Sequence, residues 1–318
     1  MRIASTVFGP LNFKHSAPQG LTHLKVQGSE IFHADEPFAI IFYQKYHTTG
    51  YTFWLSSYKA KEDHKLHVHH DGQWTGFKIL LKQHLLYKYE YGDRYYKQGQ
   101  FSFSTGPNMD AIFFIKGGSE YLVFDMLFDK HFLTGLKIQS LLLDSFFQQT
   151  EKNNYVLLVK EMTNSSIILL DAIEHLLKYP AGTQAAKKVV EELVKNAENH
   201  RNDDLPEYKI ERMYEARALI KKDISRHIKN RHLAHSIGTN EYDLKKDFVK
   251  VFSIPPSQYL QYERIKKAKL LLEQQSPRLS IEEIARLAGY KNLHSFDPAF
   301  KEHTGVTPGE WRNRGGDI

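Results

Sequence analysis

The 318 residues include no cysteine, which excludes disulfides and thiolate metal sites and fits a cytoplasmic protein. Long apolar runs are missing too. The densest, Ile167 to Leu177, is interrupted by Asp171, Glu174 and His175, so no segment reads as a membrane-spanning helix and no membrane partner is expected. The opening residues, MRIASTVFGPLNFKHS, lack the apolar stretch of a secretion signal, and the expected location is cytoplasmic. There is no G-x-S-x-G, no glycine-rich phosphate loop and no Asp/Glu pair in an acid-base context. Esterase, kinase and nucleotide-binding chemistry find no support, and neither a catalytic residue nor a cofactor is expected.

What is present is enough chain for two domains, with the 41% hydrophobic and 25% charged residues of a globular protein. Its charge is unevenly placed. Residues 211–318 hold 20 Lys and Arg against 14 Asp and Glu, whereas residues 1–210 hold 23 of each. A basic domain joined to a neutral one is the footprint of a chain of which one part meets a polyanion; an ordinary solvated surface is the bland alternative.

The basic third contains a repeat. Leu233, Ala234, Gly238, Leu244, Phe248, Ser253, Pro256 and Tyr259 are answered by Ile284, Ala285, Gly289, Phe296, Phe300, Gly305, Pro308 and Trp311. The offset is 51 residues up to the glycine and 52 beyond it, one residue being inserted in the second turn. The spacing predicts two helix-turn-helix units: a short helix carrying a small Ala, a glycine turn, and a second helix packed back through an i, i+4 apolar pair. The opposite face of each second helix is then free to enter a major groove. In the first unit that face carries Asn240, Tyr242, Lys245, Lys246 and Lys250, donors suited to base edges and phosphates. Asp243 and Asp247 sit on the same helix and would be repelled by DNA unless paired or aimed at a cytosine amino group. Between the units, Pro256 to Gln274 reads as a helix of about 28 Å, a length that holds two recognition helices roughly one DNA turn apart.

Residues 1–128 read as β. Ile31 to Ala60 is rich in aromatic and β-branched residues, and further strands are expected over Gly76–Lys82, Leu85–Tyr91, Tyr95–Ser104, Ala111–Lys116 and Glu120–Phe128. Such spacing suggests a sandwich or barrel able to enclose a small ligand. From Asp129 the period turns helical, with Leu133 to Phe147, Thr163 to Tyr179 and Thr183 to His200 as expected helices and Thr163 or Asn164 as the cap of the second. In the third, Val189, Val190, Leu193, Val194 and Ala197 extend an apolar stripe from Ala186, which either packs on its own barrel or forms a subunit interface. HRNDDLP at 200–206 is the candidate linker, followed by a helix from about Ile210 to Ile228. The domains are therefore 1–205 (barrel about 1–128, helices about 129–200) and 211–318.

Over Glu211 to Arg312 the chain resembles the C-terminal domain of AraC-type (AraC/XylS) transcription regulators, through SIEEIARLAGY at 280–290, AFKEHTGVTPGEWR at 299–312 and YLQYERIKKAKLLL at 259–272. GTNEYDLKKDF at 238–248 is similar to the branch containing siderophore-uptake regulators. The resemblance implies an α+β chain: a cupin-like N-terminal β-barrel with a helical appendage, and an all-α C-terminal double helix-turn-helix domain. It further implies a DNA-binding regulator, an activator, with double-stranded DNA, RNA polymerase and an unidentified small-molecule effector as partners. It also implies a homodimer formed through helices near 183–200. Base-reading positions then fall on Tyr242, Lys245 and Lys246, and on His294, Asp297 and Pro298. The last pair departs from the family, which usually has Arg where this chain has Pro298. Proline there removes a backbone donor, so the helix is expected to begin later or kink. The first unit is expected to supply most base readout, and the second mainly a grip on the backbone through Asn292, His294, Ser295 and Lys301.

HKLHVHHD at 64–71 offers other chemistry. On a strand His67 and His69 share a face, as in metal-binding cupins, with Asp71 as an oxygen donor, which makes a metal-dependent cupin enzyme the rival reading. No glutamate follows closely, and surface or loop histidines without metal are the expectation. A ligand-independent regulator whose N-terminal domain docks a partner is the other alternative.

Overall fold

The computed structural model describes residues 2–16, 26–199, 205–225, 229–273 and 279–313. The chain divides into two compact units, Met1–Glu207 and Tyr208–Ile318. The candidate linker at 200–206 lies outside the described residues apart from Leu205 and Pro206.

The first unit is built on two antiparallel sheets. Its strands are β1 (Arg2–Ser5), β2 (Gly9–Pro10), β3 (Glu30–Asp35), β4 (Ala39–His47), β5 (Tyr51–Ala60), β6 (His64–His70), β7 (Trp74–Lys82), β8 (Leu85–Tyr89), β9 (Arg94–Tyr96), β10 (Gln100–Gly106), β11 (Met109–Ile115) and β12 (Glu120–Phe128). The helices α1 (Lys130–Gly135) and α2 (Leu141–Thr150) precede two short strands, β13 (Val156–Leu157) and β14 (Thr163–Asn164). One sheet runs β2-β1-β6-β11-β8-β9; the other runs β13-β10-β7-β12-β5-β4-β3, with β14 also on β10. Side chains from both sheets, among them Leu66, Tyr87 and Phe113 of the first and Ile41, Tyr58 and Val123 of the second, meet in one core. The second sheet is buried on its other face as well: Phe124, Met126 and Phe128 alternate with inward Val123 and Asp125 along β12. Phe103 of β10 meets Phe146 of α2 edge-on on that side, with ring centroids 5.2 Å apart.

Two expected elements are divided. The stretch Tyr95–Ser104 breaks at Gly99 (φ 79°), so that β9 ends one sheet and β10 enters the other. Leu133 to Phe147 is two helices, because Lys137 turns left-handed (φ 52°) and Ser140 caps the next start by accepting from the Leu143 amide. The cap of α3 (Ile167–Lys178) is Ser166, which accepts from the Leu169 amide, and not Thr163 or Asn164, which pair with β10 instead. In α4 (Thr183–Glu198) the stripe Val189, Val190, Leu193, Val194 and Ala197 is buried within the unit, none more than 4% exposed. These five side chains serve the intramolecular core.

The second unit is helical: α5 (Glu207–Lys222), α6 (Asn230–Ser236), α7 (Glu241–Phe252), α8 (Pro256–Glu273), α9 (Ile281–Leu287), α10 (Leu293–Thr304) and α11 (Pro308–Asn313). The expected helix to Ile228 ends at Lys222; residues 226–228 and Gln274 lie outside the described residues. The core of the second repeat is Ile284, Ala285, Phe296, Phe300 and Trp311 against Ile265, Ala268 and Leu272 of α8. In the first repeat Phe248 stands 6.0 Å from the Tyr259 ring at the other end of α8. One helix thus carries both units.

Candidate nucleic-acid interface and inter-sheet cavity

The outward face of α7 follows from its inward one. Leu244, Phe248 and Phe252 are fully buried, Val251 nearly so, and a 3.6-residue period leaves Tyr242, Lys245 and Lys246 on the far side. Tyr242 is 71% exposed. The Lys246 ammonium lies 5.9 Å from its ring centroid and, among the described residues, makes no ion pair. Lys245 is paired with Glu241 one turn earlier, at 2.6 Å. Lys250 is half-buried near the end of the helix.

Asn240 and Asn292 have another task. Each is the N-cap of its helix, with its side-chain oxygen accepting from the amide of Asp243 or Ser295 at 2.8 and 3.0 Å. Asn240 also donates to Asp243, which draws that carboxylate into the cap. Asp247 is not on the outward face at all. It is 2% exposed and takes a 2.9 Å ion pair from Lys209 of α5, whose ammonium is held above its usual range by that bond. The repulsion expected of Asp247 toward DNA is removed by its ion pair, whereas Asp243 keeps its charge and is held in the cap.

In α10, Phe296, Ala299 and Phe300 are buried, and His294, Ser295, Asp297, Pro298 and Lys301 are exposed. Pro298 does not delay the helix, which starts at Leu293 and continues through the proline to Thr304. Pro298 lies on the exposed side of a helix whose start is fixed upstream by the Asn292 cap. Sequence reasoning confined the interface to the second helix of each unit. On the first helix, Arg231, His232 and His235 of α6 are exposed and line a groove with Asn240 and Glu241. Three cationic or titratable side chains within six residues were the signal.

The first unit holds an inter-sheet cavity of about 30 Å³, lined by Trp74, Lys78, Tyr96, Asp125, Arg94 and Tyr155 among others. Lys78 and Asp125 form a mostly buried ion pair at 2.5 Å, and burial pushes the Tyr87, Tyr89 and Tyr96 phenols around it upward. The indole N–H of Trp74 is buried and has no hydrogen-bond partner among the described residues. Tyr91 and Tyr155 stack at 4.3 Å.

The histidines at 64–70 lie on β6, not on a loop. His64 is buried against Phe38 and bonded to Ser5 at 2.8 Å. His67 and His69 share the outer face and are both committed to Asp110 of β11, at 2.7 and 3.0 Å; His69 also bonds Asp71, which pairs with Arg2. Among the described residues no group of three or more His, Asp or Glu is arranged to hold a metal ion. No helix among them is long and apolar enough to cross a membrane.

Residues 233–314 match a family model described as a helix-turn-helix domain. No curated protein matches the chain. Among solved structures it is similar to the C-terminal domain of AraT, a response regulator from Geobacillus stearothermophilus, at 29% identity over 34% of this chain and 88% of that one, with a TM-score of 0.31. An AraC-type DNA-binding regulator from Chromobacterium violaceum is 26% identical over 33% of this chain and 91% of its own, with a TM-score of 0.31. Fatty-acid-bound ToxT from Vibrio cholerae is 12% identical over 84% of this chain and 96% of its own, with a TM-score of 0.31. Residues 233–314 of this chain form a helix-turn-helix domain.

Proposed function

We propose that the protein is a sequence-specific DNA-binding transcription regulator that places α7 and α10 in successive major grooves. The observation that carries the reading is the outward face of α7, where Tyr242 and Lys246, the latter without an ion pair among the described residues, stand clear of a helix pinned from behind by Leu244 and Phe248. The 18 residues of α8 span about 27 Å, a separation compatible with one turn of DNA. Tyr242, Lys245 and Lys246 supply most base readout, Lys250 supports them, and His294, Ser295 and Lys301 grip the backbone. Asn240 and Asn292 contribute by fixing where the two helices begin. Arg231, His232 and His235 add phosphate contacts.

Titrating the full chain against duplex DNA over a salt series tests this. Affinity is expected to fall linearly in log–log form as salt rises, with a slope set by the number of phosphates neutralised. Lys246→Ala is expected to relax sequence preference more than His294→Ala. Equal relaxation overturns the division of labour, and an absence of binding overturns the DNA reading.

The proposal includes a small-molecule effector between the sheets of the first unit, supported by the polar lining of the cavity. At about 30 Å³ the cavity holds one or two waters, so a larger effector has to displace lining side chains. The partly exposed Tyr91 and Tyr155 are held to each other by ring stacking alone among the described residues. A ligand present at a hundred times its Kd stabilises the folded state by about 2.7 kcal/mol, which a thermal shift of the full chain detects. Activation by recruiting RNA polymerase, through a homodimer whose contact lies outside the buried α4 stripe, completes the reading.

A further inference from the structure

The two outward helices present opposite chemistry at corresponding positions. The 52-residue offset places Asp297 and Pro298 where the first unit has Lys245 and Lys246, and all four are exposed. The lysines are donors, suited to the O6 and N7 acceptors of guanine. Asp297 is an acceptor only. Pro298 has no amide hydrogen, so the helical bond it would give the His294 carbonyl cannot form, and a second acceptor is left on the same outward turn. Lys301 stands one turn beyond Asp297, yet among the described residues the two make no ion pair.

An unpaired carboxylate on a helix that faces phosphates is repelled unless it accepts a hydrogen bond from the DNA. Two bases offer an amino group in the major groove. Adenine places its N7 acceptor beside N6, and that lone pair opposes a carboxylate; cytosine presents its N4 amino group as a donor with no acceptor of its own beside it. We infer that Asp297 selects cytosine at one position of the site read by α10, accepting from N4. The inference rests on the DNA-binding reading and narrows it: α7 favours guanine, and α10 contributes one cytosine choice within an otherwise backbone-directed grip.

Selection of binding sites from a randomised duplex pool, using the full chain and its Asp297→Ala and Asp297→Asn variants, tests it. Asp297 is exposed, and matching thermal unfolding curves confirm that the variants remain folded. The wild type is expected to enrich cytosine at one position by about tenfold. Asp297→Ala flattens that position and keeps the others. Asp297→Asn moves it to adenine, because a carboxamide bonds N6 and N7 together. If Asp297→Ala tightens binding to all sequences alike and keeps the selected pattern, the carboxylate is only repulsive and the inference fails while the DNA reading stands. A wild-type pool without any enriched sequence overturns both.

Discussion

Ser253 and Gly305 hold the same place in the two repeats, and both are left-handed, with φ of 64° and 77°. Each terminates the outward helix of its unit, its amide donating 2.8 Å to the carbonyl of Val249 or Lys301. Glycine adopts this conformation freely, whereas serine pays about 1 kcal/mol or more for it. Ser253→Gly is therefore expected to stabilise the C-terminal unit by about 0.5–1 kcal/mol, and Gly305→Ser to destabilise it by about 1 kcal/mol. A Cβ at Gly305 meets nothing within 4 Å, so that loss reports backbone strain alone. Denaturant midpoints of the C-terminal transition in the full chain measure both; shifts of one sign in the two variants would refute the shared cause.

The turn glycines of the two repeats differ in what surrounds them. Both are left-handed, but a Cβ on Gly289 would stand 2.6 Å from the Ile224 carbonyl and 3.0 Å from the Ser225 Cα, while one on Gly238 meets only the Arg212 guanidinium, at 3.8 Å. The Ile224 carbonyl is fixed in place by a 2.8 Å bond from Arg264. Gly289→Ala is expected to cost about 3 kcal/mol and Gly238→Ala about 1 kcal/mol. The same unfolding measurement decides; equal costs would mean that the segment at 224–225 yields.

The repeat was legible because its signals are backbone requirements. A glycine where φ is positive, an alanine where helices touch and paired apolar residues one turn apart leave few other readings. The strand Glu120–Phe128 was legible for a similar reason, being bounded by Gly117-Gly118 and by the capping Asp129. What the sequence did not show was which neighbour a side chain meets. Asn240 and Asn292 have the chemistry of base readers and of helix caps alike, and only the path of the backbone separates the two. Asp247 lies one turn from Lys250 on the chain, yet the helix turns it inward to Lys209, 38 residues away. The α4 stripe announced burial without saying against what.

The pair between Lys209 and Asp247 is asymmetric: its ammonium side chain is 29% exposed and its carboxylate 4%. Removing the lysine strands a buried charge, while removing the carboxylate leaves an ammonium able to turn toward water. Lys209→Met is therefore expected to lower the C-terminal unfolding midpoint more than Asp247→Asn does. The double change Lys209→Met with Asp247→Leu is expected to recover most of the loss, since an apolar pair carries no desolvation penalty. A double variant no better than Lys209→Met alone would place the cost in lost packing instead of stranded charge.

The cluster on β6 makes the first unit sensitive to pH through His69. Hydrogen bonds to Asp71 and then Asp110 raise the His69 pKa, and bonds from His69 and His67 hold Asp71 and Asp110 respectively below the usual carboxylate range. A raised histidine pKa contributes stability that is full below its ordinary value of 6.5 and is lost as pH rises through the folded value. The lowered carboxylates contribute above 3.8, and that part is lost as pH falls through their folded values. His64 and His70, whose pKa values burial lowers, act in the opposite sense, but they are common to wild type and variant. The stability gap between wild type and His69→Gln is therefore expected to be widest near about pH 5 and to narrow as pH rises toward 8, its size kept small by exposure. Urea unfolding of the first unit at a series of pH values reads that gap. A gap that stays constant from pH 5 to 8 would mean that His69 is neutral in the folded protein and serves only as a hydrogen-bonding bridge between β6 and β11.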